Sequence, residues 1–75
     1  MKNEGIRIIY CSEWNYLPLA TRLVAAINDR FGLDVKLVAG HNGILKVTKG
    51  DAILFDNQSK YLPSVEEVIS AMEKS

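Results

Sequence analysis

The sequence predicts an α/β domain with element order β-α-β-β-β-α, a four-stranded mixed sheet and two helices. Three observations lead there. A β-branched run, Ile6-Arg7-Ile8-Ile9-Tyr10, gives way within a few residues to a long stretch with apolar residues at helical period. A second apolar run comes directly after that stretch ends, so strand, helix and strand form a crossover unit whose two strands are parallel. Two further runs are separated only by Lys49-Gly50, which makes them an antiparallel hairpin.

The first strand covers Ile6 to Cys11, with isoleucine at positions 6, 8 and 9, and is apolar enough to be central. In the first helix Leu17, Ala20, Val24, Ile27 and Phe31 recur at three- and four-residue steps, a single apolar stripe. Pro18 belongs in its first turn, where a missing N–H loses no intrahelical partner. Gly32 ends the helix as a residue free to turn left-handed. The second strand, Asp34 to Ala39, is broken by the turn Gly40-His41-Asn42-Gly43, and Ile44 to Thr48 and Asp51 to Asp56 make the hairpin.

Asn57 to Pro63 reads as a polar loop. Ser64 and Glu67 then have the spacing of a capping box, in which the serine oxygen accepts the third helical N–H and the glutamate reaches back. Val65, Val68, Ile69 and Met72 share one face of the helix that follows. The whole is a minimal thioredoxin-like arrangement. With both helices on one side of the sheet, as in that layout, the other face lacks a covering layer, and a partner or a second copy in a homodimer is expected there.

A chain of 75 residues holds one domain, residues 1–75, because a second could not bury a core of its own. Its net stability should be of order 5 kcal/mol. Hydrophobic content of 48% and charged content of 24% exclude disorder. Nine basic and nine acidic residues cancel without a Lys/Arg cluster, which argues against nucleic acid as a partner. The N-terminus, Met1-Lys2-Asn3-Glu4-Gly5, is polar, and the longest apolar stretch, Leu23 to Ile27, is far short of a membrane span, so neither signal peptide nor anchor is expected. A single cysteine forms no internal disulfide, which fits a reducing cytoplasm. No motif calls for a cofactor.

That cysteine, Cys11, falls where the first strand gives way to the first helix. A thiol at such a junction can face a helix N-terminus, whose unpaired N–H groups and positive dipole end favour thiolate over thiol. Redox enzymes of this layout usually carry a second cysteine three positions on, yet the segment reads Cys11-Ser12-Glu13-Trp14. The resolving thiol is absent. The alternative role for Cys11 is a small apolar residue filling the end of a strand. Glu13 favours the neutral thiol, whereas Ser12 could donate a hydrogen bond that favours the thiolate. Trp14 either shields the thiol within a binding surface or pins its loop to the core. Asn15 and Tyr16 extend this patch, and an exposed Trp14-Tyr16 pair would be a platform for a peptide or glutathione.

The remaining polar residues suggest less. His41 is a lone histidine with no ligand set around it in the sequence. Gly40-His41-Asn42-Gly43 leads into a strand and offers no helix N-terminus to a phosphate. Glu66 and Glu67 suit the dipole at the start of the last helix and have no partner for acid-base work.

With these residues in view, the chain resembles the selenoprotein W/T/H family, also called the Rdx family, of small thioredoxin-like proteins. The likeness is carried by the strand leading into Tyr10-Cys11, by Gly40-x-x-Gly43-Ile44-x-x-Val47, and by Leu62-Pro63 followed by Glu66-Glu67. It implies a thiol or selenol oxidoreductase whose first motif cysteine matches Cys11 and whose second position, cysteine or selenocysteine in the family, matches Trp14. Leu45 and Leu62 stand where family members often have an aromatic. Two functions are therefore expected. One is a cytosolic redox protein in which Cys11 alone forms mixed disulfides with glutathione or a partner protein. The other is a redox-inactive module that keeps the fold and binds a partner.

Overall fold

A computed structural model describes residues 5–74 and shows the predicted order: β1 (Ile6–Cys11), α1 (Leu17–Phe31), β2 (Val35–Gly40), β3 (Leu45–Lys49), β4 (Ala52–Asp56) and α2 (Val65–Lys74). Residues 1–4, part of the polar N-terminus discussed above, lie outside the described residues. The sheet has strand order β2-β1-β3-β4, with β1 parallel to β2 and antiparallel to β3, and β3 antiparallel to β4. Among the described residues no helix is long and apolar enough to cross a membrane.

β1 and α1 have the bounds expected from sequence, while β2 starts and ends one residue later. The hairpin also differs. Lys49 pairs with Ala52, so the turn is Gly50-Asp51, and Gly50 takes the left-handed φ of 59° that a tight hairpin turn needs at its first central position. Between the pairs Val47–Phe55 and Thr48–Ile53 one extra residue, Leu54, bulges out of register, and both Leu54 and Phe55 pack against the core.

Both helices lie on one face of the sheet. α1 packs on β1 and β2, α2 packs on β4, and the two helices touch each other. Ile6 and Ile8 of β1 and Leu45 and Val47 of β3 are buried beneath them, facing Leu23 and Ile27 of α1 and Val68, Ile69 and Met72 of α2. The buried side of α1 is Leu19, Ala20, Leu23 and Ile27, with Val24 and Phe31 half-buried at its margins and Leu17 exposed. The expected stripe through Leu17 is thus turned by about one residue. The sequence has two adjacent apolar rows, and only contact with α2 as well as the sheet selects the angle between them.

The helix ends follow local chemistry. Pro18 sits in the first turn of α1, and Gly32 closes it at φ 67° with its N–H donating to the Asn28 carbonyl at 2.9 Å. At α2 the capping box forms by half: Glu67 N–H donates to Ser64 Oγ at 3.1 Å, while the Glu67 carboxylate accepts the Tyr61 hydroxyl. That hydrogen bond holds the Tyr61 phenol above its usual pKa.

Asn57 is the polar exception in the core, 1% exposed and bonded through every part of its amide. Its Oδ1 accepts Leu45 N–H at 2.8 Å and Ser59 N–H at 2.9 Å, and its Nδ2 donates to the carbonyls of Gly43 at 2.8 Å and Tyr61 at 2.7 Å. One side chain therefore ties the loop after β4 to the turn before β3. Asn57→Ala strands the buried Leu45 N–H and Gly43 carbonyl, and the expected loss is about 3 kcal/mol, a large part of the total for so small a domain. Urea unfolding should show the midpoint falling steeply with an unchanged slope, and Asn57→Asp, which sets a buried carboxylate oxygen against the Gly43 and Tyr61 carbonyls, should fall at least as far.

Candidate functional site

The sequence around Cys11 folds into one tight turn between β1 and α1. Tyr16 N–H donates to the Cys11 carbonyl at 3.3 Å, and the Tyr16 carbonyl in turn accepts Ala20 N–H at 3.0 Å to start α1. Asn15 sits at φ 59°, a conformation asparagine tolerates better than most residues. Ser12 fastens the near side of the turn, since both its N–H and its Oγ donate to the Gly40 carbonyl, at 3.2 and 3.3 Å.

The Cys11 side chain is fully buried. Its Sγ accepts the backbone N–H of Trp14 at 3.2 Å. The donor reaching the sulfur thus comes from the turn, whereas the helix N-terminus was the source expected from sequence. α1 begins only at Leu17, after an N-cap, Tyr16, that makes no side-chain cap, so the turn stands between the thiol and the helix end. Ser12 Oγ, a possible donor to the sulfur, is committed to Gly40.

Glu13 also points elsewhere. Its carboxylate accepts Asn42 N–H at 3.4 Å and lies 3.7 Å from His41 Nδ1. Both groups are solvent-exposed, so the pairing is weak, but it links the turn to residues 41–42. Among the described residues no three His, Cys, Asp or Glu side chains gather as a metal site.

Trp14 is 56% exposed and lies across Gly43. A Cβ on Gly43 would collide with the indole, meeting Cε3 at 2.6 Å, so the ring needs glycine beneath it. Gly43 is also at φ 76°, which glycine adopts without strain. The Trp14 ring meets Tyr16 edge to face at a centroid distance of 6.2 Å. Tyr16 itself is 7% exposed and belongs to the core, which corrects the picture of an exposed Trp14-Tyr16 platform. Its large aromatic area gains more in the core than it would in solvent.

The exposed apolar side chains at this end are instead Trp14, Leu17, Tyr61 and Leu62. Leu62 and Pro63 line a groove of about 530 Å³ with Asn15, Pro18 and Arg22, beside the Cys11 turn. The structure therefore gathers Cys11, Ser12, Glu13 and Trp14, adds Gly43, Tyr61 and Leu62, and withdraws Tyr16 to the core. Asn57, which fixes both Gly43 and Tyr61, was read from sequence only as loop. Its one cue was an amide residue immediately after the apolar run Ile53-Leu54-Phe55.

The Rdx family model matches residues 5–74 of this chain. Among solved structures, a crystal structure of a protein from Bordetella parapertussis is similar over 97% of this chain and 98% of its own, with TM-score 0.81 and 23% identity. A selenoprotein W-related protein from Vibrio cholerae is similar over 97% of this chain and 96% of its own, with TM-score 0.69 and 16% identity. Both likenesses are likenesses of fold. No curated protein matches the chain.

Because Trp14 rests on Gly43, Gly43→Ala should lift the indole and loosen the turn over Cys11. The expected result is alkylation of Cys11 faster by at least about tenfold, the ratio that a ~1.4 kcal/mol change in local opening produces. Tryptophan emission should shift to the red while far-UV circular dichroism is retained.

Proposed function

We propose that this chain, which belongs to the Rdx family, works as a single-cysteine thiol-redox protein of the selenoprotein W-like type. The observation that carries the reading is the Trp14 N–H aimed at Cys11 Sγ at the family's motif position, where a sulfur gaining negative charge during exchange finds a fixed donor. Family membership supports a thioredoxin-like redox type. In the proposed step the Cys11 thiol loses its proton to solvent, its sulfur attacks one sulfur of oxidised glutathione or of a partner's disulfide, and the other sulfur leaves as thiolate. No cysteine stands at position 14 to break the new bond, so a second external thiol attacks it and restores Cys11.

Burial sets the condition for this chemistry. A thiol with no exposed surface reacts only when the turn of residues 12–15 opens, which makes Trp14 the gate. The groove beside the turn, with Leu62 and Pro63, is where a peptide bearing the incoming sulfur would lie. A chain whose lone thiol has no internal partner suits a reducing compartment, and a cytoplasmic location is part of the proposal. Complete burial of Cys11 favours a second reading, a redox-inactive module that binds partners through the same apolar rim.

Incubation with oxidised glutathione should add one glutathione per chain by mass, and Cys11→Ser should add none while remaining folded. If neither the natural chain nor the Gly43→Ala variant is modified, the module reading stands in its place. Trp14→Cys should gain an internal disulfide, because residues three apart in a tight turn bring their Cα atoms within the roughly 4.4 to 6.8 Å that a disulfide tolerates. That variant should then cycle between its dithiol and an internal disulfide, whereas oxidation of the natural chain stops at the mixed disulfide until an external thiol resolves it.

A further inference from the structure

The geometry points to a second interaction surface, remote from the Cys11 turn: the open face of the sheet is a docking site for an acidic amphipathic helix of a partner protein. The strand register lays out that face. One cross-strand row reads Lys36, Arg7, Thr48, Ile53, and the next reads Val38, Ile9, Lys46, Asp56. Three cations thus share the face with three aliphatic side chains, of which Val38 and Ile53 are exposed. The one carboxylate, Asp56, accepts the N–H of Gln58 at 2.8 Å.

Arg7 and Lys36 are directly opposite each other on neighbouring strands, both exposed. Like charges in that position destabilise a sheet. Among the described residues neither forms an ion pair. Since the whole chain has nine basic and nine acidic residues, this face holds a local excess of positive charge that the rest of the surface balances. Such a patch attracts carboxylates and gains stability when they arrive.

The apolar component selects the kind of anion. Val38 and Ile9 sit side by side with Ile53 across the sheet, and burying them needs a surface that is apolar and acidic at once. A helix with a leucine stripe flanked by Asp or Glu has that pattern, and it supplies the second helical layer that the fold lacks on this side. A second copy of the chain would set cations against cations. Nucleic acid would find three cations and no aromatic side chain on which a base could stack.

The test uses a fluorescein-labelled synthetic helix with a leucine stripe flanked by glutamates, and the same helix with lysines in their place. The glutamate helix should bind saturably, with amide shifts concentrated on Arg7, Ile9, Lys36, Val38, Lys46, Thr48 and Ile53 and with affinity falling as salt rises. The lysine helix should not bind. Arg7→Glu combined with Lys36→Glu should weaken binding by at least about tenfold. Lys36→Glu alone should raise the urea midpoint by relieving the repulsion with Arg7 while weakening the helix. Shifts confined to the Cys11 turn, undiminished binding by the double variant, an unchanged urea midpoint, tighter binding to phosphatidylserine vesicles or to oligo-dT, or a dimer formed through this face would each overturn the assignment.

Discussion

The carboxamide of Asn57 is the constraint on which the Cys11 end of the molecule depends. Beside the backbone bond from Asn57 N–H to the Leu45 carbonyl, its four side-chain hydrogen bonds join the turn before β3 and the start of β3 to the loop leading to α2. Gly43 is held at the height that receives the Trp14 ring. The backbone N–H of Trp14 in turn donates to the sulfur of Cys11. A buried amide with every group satisfied is rigid, and its rigidity passes along this series to the thiol.

In this chain position 14 holds a tryptophan, which offers no thiol and instead sets its ring on Gly43 and against Tyr16. Ser12 and Glu13 add to that anchoring, since one fastens the turn to Gly40 and the other to Asn42. The turn over residues 12–15 is held by a few hydrogen bonds and one aromatic contact, which places it among the less stable local units of a fold.

Much of the architecture was legible in the residues themselves. The bounds of β1 and α1 follow from β-branched spacing, from Pro18 and from Gly32, each a local signal acting over a few residues. What was not legible depends on direction. Periodicity states that apolar residues share a helix face but leaves the angle of that face open, which is why Leu17 projects into solvent and Leu19 does not. Ser12 was compatible with a bond to the sulfur, yet the Gly40 carbonyl, distant in sequence, lies closer to its path. Tyr16 and Trp14 are both large aromatics of one short segment, and which of them is buried depends on the direction the turn gives each. Asn57 is read as loop by composition because the groups it satisfies come from elsewhere in the chain.

The bulge at Leu54 has a consequence for life in a crowded cell. β4 is an outer strand of the sheet, and a regular outer strand offers an unpaired ladder to any other chain that approaches. By breaking the register between Val47 and Thr48, the extra residue twists that margin and spoils its periodicity. Strand-by-strand polymerisation is thereby discouraged along β4, leaving β2 as the regular margin.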